Sequence, residues 1–142
     1  MSNGNLPNIA FVGIGLMGLP MAARLVQAGY PLSAWNRTRE KALPLAGYGA
    51  NVADTLADAV RSADIVITML EAGPVVKRVV EAMLPDLRAG TLVIDMSSTK
   101  QSEAREIQQI LAASRFSGCA CIRWCSRRGS GNIGDYGWWT TR

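Results

Sequence analysis

The chain has 142 residues, the size of one domain, and its 49% apolar and 18% charged content is that of a globular protein, not a disordered one. Its formal net charge is +4 and it contains no histidine. That excludes Ser-His-Asp and Cys-His nucleophilic triads, His-ligated zinc and any His general acid.

Asn8 to Gly13 is a short apolar run ending in glycine, the pattern of a buried strand. Leu16 to Ala28 reads as a helix stopped by Gly29. Ile9 to Ala23 is uncharged but shorter than the ~20 residues that span a bilayer. No Lys or Arg precedes Arg24, so a secretory leader is not expected. Pro31 to Trp35 is a second strand, Thr38 is placed to cap a helix through Leu45, and Tyr48 to Val52 is a brief strand. Asp54 is placed to cap a helix over Leu56–Arg61. Ile65 to Leu70 is apolar almost throughout, as a strand covered on both faces should be. Gly73-Pro74 opens a helix to Leu84, with Val75, Val76, Val79, Val80, Met83 and Leu84 on or beside one face. Thr91–Asp95 is the next strand, and Ser97-Ser98-Thr99 precedes a helix over Gln101–Ala113. Strands alternating with helices predict an α/β fold, a doubly wound parallel sheet of Rossmann type.

Gly13-Ile14-Gly15-Leu16-Met17-Gly18 fits G-x-G-x-x-G, and it lies between a predicted strand and a predicted helix, the context this motif requires. Gly13 allows the tight turn, Gly15 lets backbone approach a pyrophosphate, and Gly18 lets helix and strand pack closely. The helix N-terminus then holds the anion. The second strand ends in Asn36-Arg37-Thr38, where NAD sites usually carry Asp or Glu for the ribose 2′-hydroxyl. A carboxylate would repel a 2′-phosphate, whereas these three side chains can donate to one, so NADP is preferred over NAD. Arg37 as a solvated charge and Thr38 as a simple helix cap are the plainer readings. Thr68, Met69 and Leu70 end one strand and Ser97 and Ser98 follow another, so all are placed to line the cleft at the carboxyl ends. Core packing for Met69 and Leu70, and capping for the serines, are the alternatives.

Phe11-Val-Gly-Ile-Gly-Leu-Met-Gly-Leu-Pro-Met-Ala22 resembles the opening of the β-hydroxyacid dehydrogenases, the family of 3-hydroxyisobutyrate dehydrogenase and 2-hydroxy-3-oxopropionate reductase. Trp35–Thr38, Ala63–Leu70, Leu92–Ser98 and Ala104–Glu106 match in order, and the resemblance covers residues 8 to about 113. It implies an NAD(P)-dependent oxidoreductase that moves a hydride between a nicotinamide and a small 3-hydroxy acid or semialdehyde. It assigns the dinucleotide to Gly13–Gly18, Asn36–Thr38 and the Met69-Leu70 edge, and a nicotinamide-side contact to Ser98. The 6-phosphogluconate dehydrogenases share the Asn-Arg-Thr end but differ in the glycine loop, and stand second. A catalytically dead NADP-binding module is the other alternative.

Residues 115–142 are a different kind of sequence. Residues 1–114 balance ten Lys/Arg with ten Asp/Glu and hold no cysteine, which suits a reducing cytoplasm. The remainder holds five Arg against Asp135, together with Cys119, Cys121, Cys125 and three of the four tryptophans. The family should continue with a strand carrying Asp-Ala-Pro-Val-Ser-Gly-Gly, then a helix with a catalytic lysine, then an all-helical domain. Only Lys41, Lys77 and Lys100 occur, none in a matching motif. Yet Gly118-Cys-Ala-Cys-Ile-Arg-Trp-Cys-Ser126 can be encoded so that dropping one base yields Asp-Ala-Pro-Val-Ser-Gly-Gly-Val. One nucleotide gained near Ser117–Gly118 explains the change.

The expectation is therefore an NAD(P)-binding domain over 1–114 and an irregular basic, out-of-frame tail over 115–142. The last strand and the helical domain are absent, and there is no catalytic residue and no turnover by the chain alone. No metal, nucleic-acid or membrane partner is expected, and the family's homo-oligomer is not expected without its helical domain. The cysteines lack a fourth ligand, and Arg127-Arg128 with Trp138-Trp139 would be out-of-frame text, not a nucleic-acid tail.

Overall fold

The computed structural model describes residues 5–113 and, for the backbone alone, 121–123. The strands are β1 (Ile9–Val12), β2 (Leu32–Trp35), β3 (Asn51–Val52), β4 (Ile65–Thr68), β5 (Leu92–Asp95) and β6 (Cys121–Arg123). The α-helices are α1 (Gly18–Gln27), α2 (Leu56–Val60), α3 (Gly73–Met83) and α4 (Gln101–Ala113). All strand pairs are parallel, in the order β3-β2-β1-β4-β5-β6. That order reverses direction at β1, the switch point at which doubly wound sheets open a cleft beyond their carboxyl ends.

Alternation along the strands divides the core between two faces. Ala10, Val12, Val66 and Val93 pack with Val76, Val80 and Met83 of α3 and Ile107 and Leu111 of α4. Ile9, Phe11, Ala34 and Ile67 face the other way, against Ala22 of α1 and Ala42 and Leu45. β1 is buried at every residue, which is why its sequence is apolar without alternation. In α3 the valines at 76 and 80, with Met83, repeat at helical spacing, so one stripe is buried while Lys77 and Arg78 reach outward.

Four local expectations are corrected. The segment after Thr38 is not one helix: it forms two 3-10 turns, Arg39–Lys41 and Leu43–Tyr48, with Pro44 at the start of the second. Proline has no N–H for a continuing α-helix, so it fits at the start of a new turn. Thr38 makes no capping bond through its side chain. The cap of α2 is Thr55, not Asp54: its Oγ1 accepts from Asp58 N at 3.1 Å, while Asp54 pairs with Arg39 at 2.7 Å. The strand expected to be missing is present in part. Cys121–Arg123 runs parallel to β5 in the register Val93↔Cys121, Ile94↔Ile122, Asp95↔Arg123. The outer side of β5 offers unpaired backbone groups, and three residues are enough to pair with them yet too few to show a period. The cysteine, arginine and tryptophan patterns of the remaining tail lie outside the described residues.

Candidate functional site

The glycine loop lies between β1 and α1, and packing within the chain requires two of its three glycines. Gly13 has φ +102°, and its N–H donates to Trp35 O at 3.0 Å. A Cβ there would strike the Met69 carbonyl oxygen. A Cβ on Gly18 would strike the Gly13 carbonyl oxygen. Gly15 has no such constraint: its φ is not positive, and a Cβ would meet nothing within 4 Å. Packing within the chain therefore explains two of the glycines and makes no demand at the third. The N-terminus of α1 beside it is open in the same sense. Met17 makes no side-chain cap and no acidic residue occupies the first turn. An anion there would meet the positive end of the helix dipole. Ile14 is buried and anchors the loop, whereas Leu16 (97% exposed) and Met17 (60% exposed) project from it.

Asn36 joins this loop to the end of β2. Its Oδ1 accepts from Ile14 N at 3.0 Å and its Nδ2 donates to Thr38 O at 2.9 Å. The side-chain amide thus holds two backbone segments in place. Arg37 is exposed and has no ion-pair partner among the described residues, in contrast to Arg39. Thr38 is exposed next to it. Of the three side chains expected to meet a ribose phosphate, Arg37 and Thr38 present themselves outward and Asn36 is committed to backbone.

The third wall follows β4 and β5. Met69 N donates to Val12 O and Met96 N to Thr68 O, both at 2.9 Å, so the ladder continues past the strand ends. Met69 and Leu70 are half-buried. Ser97 is buried and does not cap α4: its Oγ accepts from Leu70 N at 2.8 Å. The start of α4 is capped by Glu103, whose Oε2 accepts from Lys100 N at 2.8 Å. Ser98 is exposed. Asp95, which sequence reasoning passes over, lies beneath this wall. It is 3% exposed, and its Oδ1 accepts from Thr68 Oγ1 at 2.9 Å and from Ser97 N at 3.0 Å. The available signal was a single carboxylate closing the apolar run Leu92-Val-Ile.

Among the described residues there is no cluster of metal-ligating side chains and no helix long and apolar enough to cross a membrane. Lys77 is held by Glu106 at 3.0 Å on the helical flank, and that bond and charge raise its pKa above the usual lysine range.

The sequence profile of a family described as the NAD binding domain of 6-phosphogluconate dehydrogenase matches residues 8–120. A probable 3-hydroxyisobutyrate dehydrogenase of Mycobacterium tuberculosis is 39% identical over 105 residues, which are 74% of this chain and 36% of that protein. The solved structure of a Mycobacterium tuberculosis 3-hydroxyisobutyrate dehydrogenase with L-serine superposes with a TM-score of 0.78 at 36% identity, over 83% of this chain and 40% of that one. An imine reductase from Myxococcus stipitatus in complex with NADP+ superposes with a TM-score of 0.73 at 32% identity, over 82% and 40%. The chain thus spans well under half the length of the proteins it matches.

Proposed function

The chain belongs to the family of the NAD binding domain of 6-phosphogluconate dehydrogenase, and from that premise we propose that it is the NADP-preferring half of a β-hydroxyacid dehydrogenase. Gly15 is the observation that carries this reading: it is a glycine that neither backbone conformation nor neighbouring atoms demand. A pyrophosphate over Gly13–Gly18 accounts for it, with the open N-terminus of α1 supplying the field. Arg37 and Thr38 take the ribose end, where the unpaired guanidinium favours a 2′-phosphate. Met69 and Leu70 form the wall beside the dinucleotide, and Ser98 faces the nicotinamide side. Asn36 contributes by shaping the loop.

The cofactor supplies hydride transfer when bound, and this chain binds and orients it. The parent reaction is the exchange of a hydride with a small 3-hydroxy acid or semialdehyde. A general acid or base on the reacting oxygen is also needed. None of Lys41, Lys77 and Lys100 lies at the cleft-lining positions named here, so the 142-residue chain is expected to bind the cofactor without turning over substrate. Fluorescence titration with NADPH and NADH tests this reading. Saturable binding with NADPH preferred supports it, and Arg37→Ala should remove about tenfold of that preference. No binding at millimolar concentration of either overturns it.

The dinucleotide domain is proposed to occupy 1–114, with a change of reading frame near Ser117–Gly118. Sequencing the coding DNA decides it: the neighbouring frame should encode Asp-Ala-Pro-Val-Ser-Gly-Gly, and any other text refutes the frameshift.

A further inference from the structure

We propose that Asp95 is a positioning residue for the glycine loop, acting through Ser97 and the Met69-Leu70 segment, and so sets the affinity for the pyrophosphate of a dinucleotide. The contacts form a continuous path. Asp95 Oδ1 holds both the Thr68 hydroxyl and the Ser97 amide. The Ser97 hydroxyl then accepts the Leu70 amide at 2.8 Å. The segment so held bonds to β1 through Met69 N and Val12 O, and its Met69 carbonyl lies against Gly13 where a Cβ would otherwise be. The Gly13 carbonyl in turn lies where a Cβ on Gly18, at the mouth of α1, would otherwise be. Thr68, Asp95 and Ser97 are 0%, 3% and 2% exposed, so none of the three can exchange a lost partner for bulk water.

A second observation separates this role from ordinary strand stabilisation. The other carboxylate oxygen of Asp95, Oδ2, is buried with no hydrogen-bond partner among the described residues. An apolar side chain would avoid that burial cost if filling the core were the only need. What a carboxylate or amide oxygen supplies here is a single acceptor able to receive two donors at the point where β4 and β5 end.

The dinucleotide part of the proposal rests on the functional reading above, and the loop part does not, so two measurements are paired. Hydrogen–deuterium exchange of the 142-residue chain needs no ligand. Asp95→Ala and Ser97→Ala should raise exchange of the Leu70, Gly13 and Ile14 amides by at least about tenfold, while Val66 and Val93 keep their protection. Asp95→Asn keeps a side-chain oxygen for both donors and should stay near wild type. In the binding arm, Asp95→Ala should weaken NADPH by at least about tenfold yet leave adenosine 2′-monophosphate, which has no pyrophosphate, unchanged. Unchanged exchange at Gly13 and Ile14 in both variants overturns the proposal, and so does an equal loss of both ligands. If Asp95→Ala does not fold, Ser97→Ala decides, since it removes only the acceptor of one amide. If wild type binds neither ligand, the dinucleotide reading fails and the exchange result alone decides the role of Asp95.

Discussion

The two ends of the sheet are built from the same parallel ladder but treat polar groups in opposite ways. At the amino end they are used up on one another. Asp64 accepts from Asn8 N at 2.9 Å and from Arg88 at 2.8 Å, and Thr91 Oγ1 donates to Ala63 O at 3.1 Å. A cavity of about 210 Å³ opens there beside Asn8, Ser33, Asn51 and Ser62, with no charged residue in its lining. At the carboxyl end the buried polar groups hold backbone, and the groups facing outward are a bare glycine, a helix start without a side-chain cap and an arginine with no ion-pair partner among the described residues. The proposed anion site lies at the end whose outward groups are without partners among the described residues.

Four changes would break or sharpen that contrast. The largest effect is expected from Gly13→Ala, which forces a side chain against the Met69 carbonyl at φ +102°. Strain and overpacking together should cost about 2–4 kcal/mol, read by urea denaturation, with dinucleotide binding lost as well. Gly15→Ala should do the reverse: stability within about 0.5 kcal/mol of wild type, but NADPH affinity reduced at least about tenfold by titration. If Gly15→Ala binds normally, the contrast between the two ends fails. Arg88→Ala, at the amino end, should cost about 1 kcal/mol or less because the pair with Asp64 is half-exposed, and NADPH affinity should not move.

The smallest effect concerns Lys77. Its hydrogen bond to Glu106, and then that residue's charge, raise its pKa in the folded chain above the unfolded value. Stability from this pair is therefore complete below the ordinary lysine pKa and is lost as pH rises through the folded value. Glu106→Gln should be slightly less stable than wild type near neutral pH, and the gap should close as pH rises past the lysine range. Parallel urea melts across that range check it.

Legibility in the sequence followed the distance over which each cause acts. The six-residue glycine loop was readable from its own spacing and from the strand and helix on either side, although the atom that forbids a side chain at Gly13 is the Met69 carbonyl beyond β4. The role of Asn36 was not, since its partner Ile14 is 22 residues away and the contact exists only once β1 and β2 pair. Ser97 stands where a helix cap is expected, but its hydroxyl is taken by Leu70 across the sheet. Asp54 and Thr55 are adjacent and equally able to cap, and what separates them is Arg39, 15 residues back, which engages Asp54. The helix expected from Thr38 through Leu45 is instead split at Pro44 into two turns, which the local spacing alone does not foresee. The three residues of β6 were illegible for want of length. The family match and the superpositions support the dehydrogenase-type fold that the motif blocks implied.

The brevity of β3 has one more consequence. A strand at the margin of a sheet offers a row of free amide and carbonyl groups to any other extended chain. Here that margin is Asn51–Val52 alone, paired to β2 at two positions, with Ala53 N donating the last ladder bond to Ala34 O. An incoming segment would find too few groups in line to gain a foothold, so this flank discourages ribbon-like growth of one molecule upon another by being too short to copy.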